Sequence, residues 1–103
     1  MSVLMTDEGI TRAADLFKAL SSSSRLRILI LLGEAPATVT QLVAATGQSQ
    51  PLVSQHLKTL RLANIVTVVK IGREATYAVA DSHVTRVVAD AISHVLEDSR
   101  ENS

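Results

Sequence analysis

"VTQLVAATGQSQPLVSQHLKTLRLANIV", residues 39–66, decides the fold. Its first part predicts a short helix from about Val39 to Ala45, with Leu42 and Val43 turned inward. "TGQS" then turns the chain, and Gly47 is the residue suited to a positive φ because it has no Cβ to clash. A longer helix is expected from Gln50 to Leu62. Pro51 fits only its first turn, where a missing N–H leaves no hydrogen bond unmade. At about 100° per residue, Leu57 and Leu60 fall beside Val53 and form a core stripe. Pro51, Ser54, Gln55 and Lys58 cluster on the opposite side. Short helix, glycine-containing turn and longer helix make a helix-turn-helix pattern.

Downstream, two β-branched runs, Ile65 to Lys70 and Ala75 to Val79, flank Ile71-Gly72-Arg73-Glu74. That pattern predicts a hairpin with a basic tip. Upstream, Ala13, Leu16, Phe17 and Leu20 recur at helical spacing and predict a helix from Asp7 to Leu20. Four serines at 21–24 offer N-caps for a second, nearly all-buried helix from Arg25 to Leu32, which "GEAPAT" breaks. A last helix is expected from Ser82 to Asp98, with "SRENS" fraying beyond it. The fold class is therefore mainly α with one small β-hairpin, and 103 residues suit a single domain with one modest core.

Ten basic residues balance ten acidic ones, so net charge names no partner. Their distribution says more. Residues 21–80 carry six basic residues against Glu34 and Glu74, a net of +4, whereas residues 1–20 net −1 and residues 81–103 net −3. A basic centre between acidic ends suits a module that faces a polyanion, although an excess this small does not decide it. With no cysteine, disulfides, iron–sulfur clusters and thiolate metal sites are excluded. The start "MSVLMTDEG" has neither the basic region nor the apolar stretch of a signal peptide, and "ILILL" at 28–32 is too short to span a bilayer. A soluble cytoplasmic protein with no membrane partner is expected.

The amide and hydroxyl groups of Ser54 and Gln55 can hydrogen-bond base edges, and Lys58 suits a phosphate. A merely solvated helix face would look similar, but Lys70 and Arg73 of the hairpin follow directly and favour DNA. His56 lies on the flank of the core stripe, where a satisfied half-buried histidine and a DNA contact both fit. Tyr77 and Phe17, the only aromatics, are expected in the core, which leaves no stacking platform for single strands.

The last helix, "DSHVTRVVADAISHVLED" at 81–98, holds two of the three histidines. His83 and His94 project only about 20° apart on a helical wheel, and Glu97 lies about 40° to the other side, so the three form one stripe. Their eleven-residue separation corresponds to about 16 Å, too far for a metal that reaches ligands at about 2 Å. One helix cannot close such a site, but two can. Asp81 and Glu97 lie symmetrically about nearly the same midpoint as His83 and His94, close to Val88 and Ala89. An antiparallel copy of the helix would bring Asp81 and His83 beside His94 and Glu97 of the other chain, twice per dimer. Val84, Val87, Val88 and Ala91 are small or branched enough for close approach. Taken singly, Asp81 could be an N-cap, Glu97 a solvated acid and the histidines packed residues. Together, two imidazoles and two carboxylates make a chemically sensible zinc set.

"ALSSSSRLRILILL", "VTQLVAATGQSQPLVSQHLKTLRLANIV" and "GREATYAV" resemble the ArsR/SmtB family of winged-helix repressors over about residues 12–97. The resemblance implies a winged helix-turn-helix homodimer built on its first and last helices, with two recognition helices in successive major grooves. It places Gln50, Ser54 and Gln55 at base- or backbone-contacting positions and Arg73 on the wing. "DxH" followed by "HxxE" is similar to the zinc-sensing site of SmtB-like members, which assigns Asp81, His83, His94 and Glu97 as metal ligands. The thiolate site of arsenic- or cadmium-type members is missing, since "TVTQL" has no cysteine. Four protein ligands suit zinc or cobalt(II), and the chain ends lack the extra histidines of nickel-type members. In SmtB-like members a ligating histidine also bonds a backbone carbonyl just after the recognition helix. The same spacing here makes His94 and Asn64 the pair that couples metal to DNA.

The expectation is a non-enzymatic, metal-responsive repressor, with residues 1–103 forming one DNA-binding domain whose last helix dimerises and senses metal. It binds inverted-repeat operator DNA as a homodimer and releases it on binding two Zn(2+) ions per dimer, each shared between chains. By resemblance it controls metal efflux or storage genes. The alternatives are a regulator answering cobalt, nickel or no metal, an interaction module with adventitious metal, and a zinc hydrolase. The hydrolase is disfavoured because a filled tetrahedron leaves no position for water.

Overall fold

The computed structural model describes residues 6–101, with side chains described as far as residue 97. The N-terminal "MSVLM" and the last two residues of the tail expected to fray lie outside the described residues. Among the described residues the order is α1 (Asp7–Leu20), α2 (Ser23–Glu34), β1 (Ala37–Thr38), α3 (Val39–Thr46), α4 (Gln50–Leu62), β2 (Val66–Ile71), β3 (Glu74–Val79) and α5 (Ser82–Glu101). The strands form an antiparallel sheet in the order β1-β3-β2.

Each helix start has a side-chain acceptor for an otherwise orphaned backbone N–H. Thr6 caps α1, Ser22 caps α2 and Ser49 caps α4. At α3 a capping box operates, with the Thr38 hydroxyl accepting from Gln41 N–H and Gln41 Oε1 accepting from Thr38 N–H. Gly47 ends α3 at φ 73°, the left-handed cap expected of it. The hairpin turns at Gly72 and Arg73 between the paired Ile71 and Glu74, and Gly72 takes φ 64°. Glycine at the first central position of a two-residue turn keeps the twist of the flanking strands.

The core is built from the stripe read in α4. Val53, Leu57 and Leu60 are fully buried, together with Ile28 of α2, Leu42 of α3 and Ile65 just before β2. Burying each such side chain contributes about 1.5–3 kcal/mol relative to exposure. The same packing fixes the opposite face of α4 outward. Among the described residues, no helix is long and apolar enough to cross a membrane.

Besides adding the strand β1, the structure departs from expectation on three helices. α2 does not stop before "GEAPAT": Gly33 and Glu34 remain helical, and Gly33 lies against Thr85 of α5. Nor is α2 nearly all buried, because Arg27 and Ile30 face outward. Phe17 is 58% exposed rather than in the core, since α1 enters the core through Ala19 and Leu20 near its end. On α5, Val84 and Val88 are buried in the protomer's own core, so they do not line a seam with another helix. Val87 and Ala91 remain exposed. Finally, α5 runs to Glu101, beyond the expected end at Asp98 and into "SRENS".

Candidate functional site

Two surfaces carry the candidate chemistry. The first is the outer face of α4 with the wing. Gln50, Pro51, Ser54, Gln55 and Lys58 are all exposed on α4, and Lys70 and Arg73 are exposed on the hairpin. Pro51 stands in the first turn of α4. His56 is half-buried, and its Nδ1 lies 3.4 Å from Arg25 Nη1. Burial, and then the Arg25 charge, hold its pKa below the usual 6.5. His56 thus sits on the inner flank of the helix with Arg25 as a polar partner.

The second surface is α5. Asp81 caps it, with Oδ1 accepting from His83 N–H at 2.9 Å and from Val84 N–H at 3.2 Å. His83 Nδ1 stands 3.5 Å from the same oxygen, and the two side chains are 84% and 56% exposed for His83 and Asp81 respectively. His94 and Glu97 are also exposed, three to four turns further along. The helix thus buries Val84 and Val88 and half-buries Ile92 on one side, and presents the imidazole–carboxylate stripe on another. Among the described residues no three potential ligands converge within one protomer. Asp81 and His83 lie at one end of the stripe, His94 and Glu97 at the other. The donors suit a divalent metal of intermediate softness, since both imidazoles are accessible and the cap occupies only one carboxylate oxygen of Asp81.

Asn64 lies between the two surfaces. It follows α4 at φ 60°, the only non-glycine residue at positive φ among those described. Its N–H donates to Arg61 O, and Ile65 N–H donates to Leu60 O. This pair is the Schellman arrangement, with Asn64 in the left-handed position that asparagine tolerates better than most residues. A small cavity of about 150 Å³ is lined by Asn64, Leu16, Leu20, Asp81, His83 and Val87, among others. Within one protomer, Asn64 therefore adjoins the Asp81–His83 end of α5, not His94.

Two features escaped the sequence reading. The capping box was legible as Thr38-x-x-Gln41. Arg25, which reaches both α1 and His56, gave no local signal because its partners are six and 31 residues away.

Residues 22–68 match the model of the bacterial regulatory protein family arsR. The chain is 42% identical over 92 residues to the HTH-type transcriptional repressor SmtB of Mycobacterium tuberculosis, covering 89% of this chain and 68% of that protein. The chain belongs to the ArsR family. This ArsR-family chain is also 34% identical over 93 residues to the HTH-type transcriptional regulator NmtR of M. tuberculosis, covering 90% and 78% of the two. Among solved structures it resembles the homodimeric winged helix-turn-helix DNA-binding domain of a possible ArsR-family transcriptional regulator from Mycobacterium bovis. There the TM-score is 0.76 at 28% identity, over 95% of this chain and 91% of that one. The fold is accordingly a winged helix-turn-helix, with α4 as the longer helix of the motif and β2–β3 as the wing. The chain is a transcriptional regulator, not an enzyme.

Proposed function

We propose that this ArsR-family chain is a homodimeric, metal-responsive repressor that binds inverted-repeat operator DNA and releases it on binding zinc. The observation that carries this reading is the split donor set of α5. Asp81 and His83 lie at one end of an exposed stripe, His94 and Glu97 at the other, and neither half suffices alone. An antiparallel pairing of two α5 helices completes both sites at once, each with two imidazoles and two carboxylates. The exposed apolar side chains Ile10 and Phe17 on α1, and Val87, Val95 and Leu96 on α5, support these helices as the dimer interface. Residues 1–103 would then act as one DNA-binding unit whose last helix both dimerises and senses metal.

On the DNA, Ser54 and Gln55 would read base edges in the major groove while Gln50, Lys58 and Arg73 hold the phosphate backbone. Zinc, when bound, would fix the tautomer of each ligating imidazole and leave its other N–H as a donor. Because Asn64 adjoins Asp81 and His83, the donor that meets its carbonyl would be His94 of the partner subunit. Such a bond would tie the end of α4 to the opposite protomer and favour a dimer whose two recognition helices no longer match both half-sites.

The test uses a duplex recovered from a random-sequence pool on metal-free protein, titrated with and without buffered zinc, cobalt and nickel. Zinc is expected to weaken binding most, at two ions per dimer. Stronger release by cobalt or nickel would reassign the metal, and no response to any of the three would overturn metal sensing.

A further inference from the structure

Three helices meet at one side chain that the DNA-reading and metal-binding surfaces do not use. Arg25, in the first turn of α2, donates from Nε to the Ala19 carbonyl at 2.6 Å. Ala19 is among the last residues of α1, whose final carbonyls have no partner inside the helix. Its neighbours are served from the following loop, Lys18 O by Ser21 N–H and Leu20 O by Ser22 N–H. Ala19 O is served by a guanidinium instead, and a cation at a helix C-terminus is also favoured by the helix dipole. The same guanidinium reaches on to His56 Nδ1 of α4, at 3.4 Å.

We propose that Arg25 is a positioning residue for DNA reading, a strut that holds α4 at a fixed attitude to α1 and α2 through His56. The proposal rests on α4 being the recognition helix. His56 directly follows Gln55 and lies two residues before Lys58, so its tether sets the rotation of the reading face. Discrimination by bidentate contacts tolerates little misplacement, since each is worth about 1–3 kcal/mol only in good geometry. α1, which carries the exposed apolar face, is thereby fastened to the reading helix by one charged group.

The contact needs His56 to accept at Nδ1, and therefore to be neutral. Protonation would turn Nδ1 into a donor and set two cations against each other. The charged groups around the contact are few. Asp15 and Lys18 of α1 line the groove beside Arg25, α2 itself also carries Arg27 and Glu34, Lys58 and Arg61 belong to α4, and β2 contributes only Lys70. α3, packed on α4, carries no charged side chain. DNA affinity should hold above the ordinary histidine pKa of 6.5 and fall as the pH drops through the lower value of His56.

The experiment measures affinity for the selected duplex and for a random duplex from about pH 7.5 to about pH 5.5, on metal-free protein. Arg25→Met and His56→Leu should each lose about tenfold for the selected duplex and much less for the random one, as expected for one hydrogen bond to a charged group. The double variant should be no worse than either single one. His56→Asn places an acceptor near the Nδ1 position without a titratable ring, so it should keep neutral-pH affinity and flatten the acid limb. If Arg25→Met or His56→Leu fails to fold by circular dichroism, His56→Asn alone decides through its pH profile. An acid limb as steep as that of wild type overturns the strut. Additive losses, or equal losses on both duplexes, overturn it as well. Unchanged affinity in Arg25→Met and His56→Leu overturns it too, and Ser54→Ala and Gln55→Ala run alongside: if those also leave the selected duplex unaffected, the recognition-helix reading fails rather than the strut alone.

Discussion

At Asp81, helix capping and the proposed metal ligation are separable by substitution, because one carboxylate oxygen serves the helix start and the other is left for an ion. Asparagine caps a helix about as well as aspartate but is a poor metal ligand; alanine does neither. Asp81→Ala should therefore lower the stability of metal-free protein by about 1 kcal/mol, whereas Asp81→Asn changes it by only a few tenths. Both should lose most of their zinc affinity. Urea unfolding with chelator present, paired with competitive zinc titration, checks the two halves of this expectation. Retained zinc affinity in Asp81→Asn would remove Asp81 from the ligand set while leaving its capping role intact.

At the level of elements, the end of α4 makes a similar separation. Asn64 holds φ 60°, so Asn64→Gly should be tolerated, while Asn64→Val should cost about 1–2 kcal/mol for placing a β-branched residue in left-handed backbone. Since the proposed acceptor is the backbone carbonyl, Asn64→Gly should also preserve release of DNA by zinc. Loss of release in that variant, at unchanged zinc affinity, would move the coupling elsewhere. On the reading face, Ser54→Ala and Gln55→Ala should each cost about 1 kcal/mol or more and narrow the gap between selected and random duplexes. Lys58→Ala and Arg73→Ala should weaken all DNA alike and shallow the salt dependence by about one unit each, measured by titration at several salt concentrations. The bounds of α4, the left-handed Gly47 and the presence of the hairpin were legible because each depends on local chemistry: proline in a first turn, glycine at positive φ, periodic valine and leucine. The turn itself is tighter than expected, since Ile71 and Glu74 pair as strand residues. What was not legible depends on distant partners. β1 is two residues long and exists only by pairing Ala37 and Thr38 with Tyr77 and Thr76. Gly33 stays helical although glycine costs about 1 kcal/mol against alanine in a helix, because α2 packs there on Thr85 of α5. Arg25 and His56 meet across 31 residues, which no periodicity announces.

For the whole molecule, the exposure of Phe17 and of the α5 stripe fits the proposed homodimer, in which a second copy would complete both surfaces. The stripe itself was visible from spacing, but Val84 and Val88 were misassigned to the seam. A helical wheel gives angles without saying which side the protomer's own core takes. With Val87 and Ala91 left beside the stripe, the antiparallel pairing keeps its midpoint and loses none of its proposed ligands. Each site then belongs to two chains, which makes a sharp expectation for mixed dimers. A dimer of wild type with an Asp81→Ala/His83→Gln double variant should keep one intact site and bind one zinc ion tightly; a monomer that binds zinc with four protein ligands would exclude the shared site. The link to DNA adds a second expectation. If zinc lowers operator affinity by a given factor, the operator must lower zinc affinity by the same factor, since the coupling free energy is common to both. His94→Asn keeps three of the four proposed ligands at each site but lacks the second ring N–H that would meet Asn64. In that variant zinc should bind more weakly, as in Asp81→Asn, and at saturating zinc the factor should shrink toward one. A variant that binds zinc and leaves DNA as readily as wild type would show that the signal does not pass through His94, whatever holds the metal.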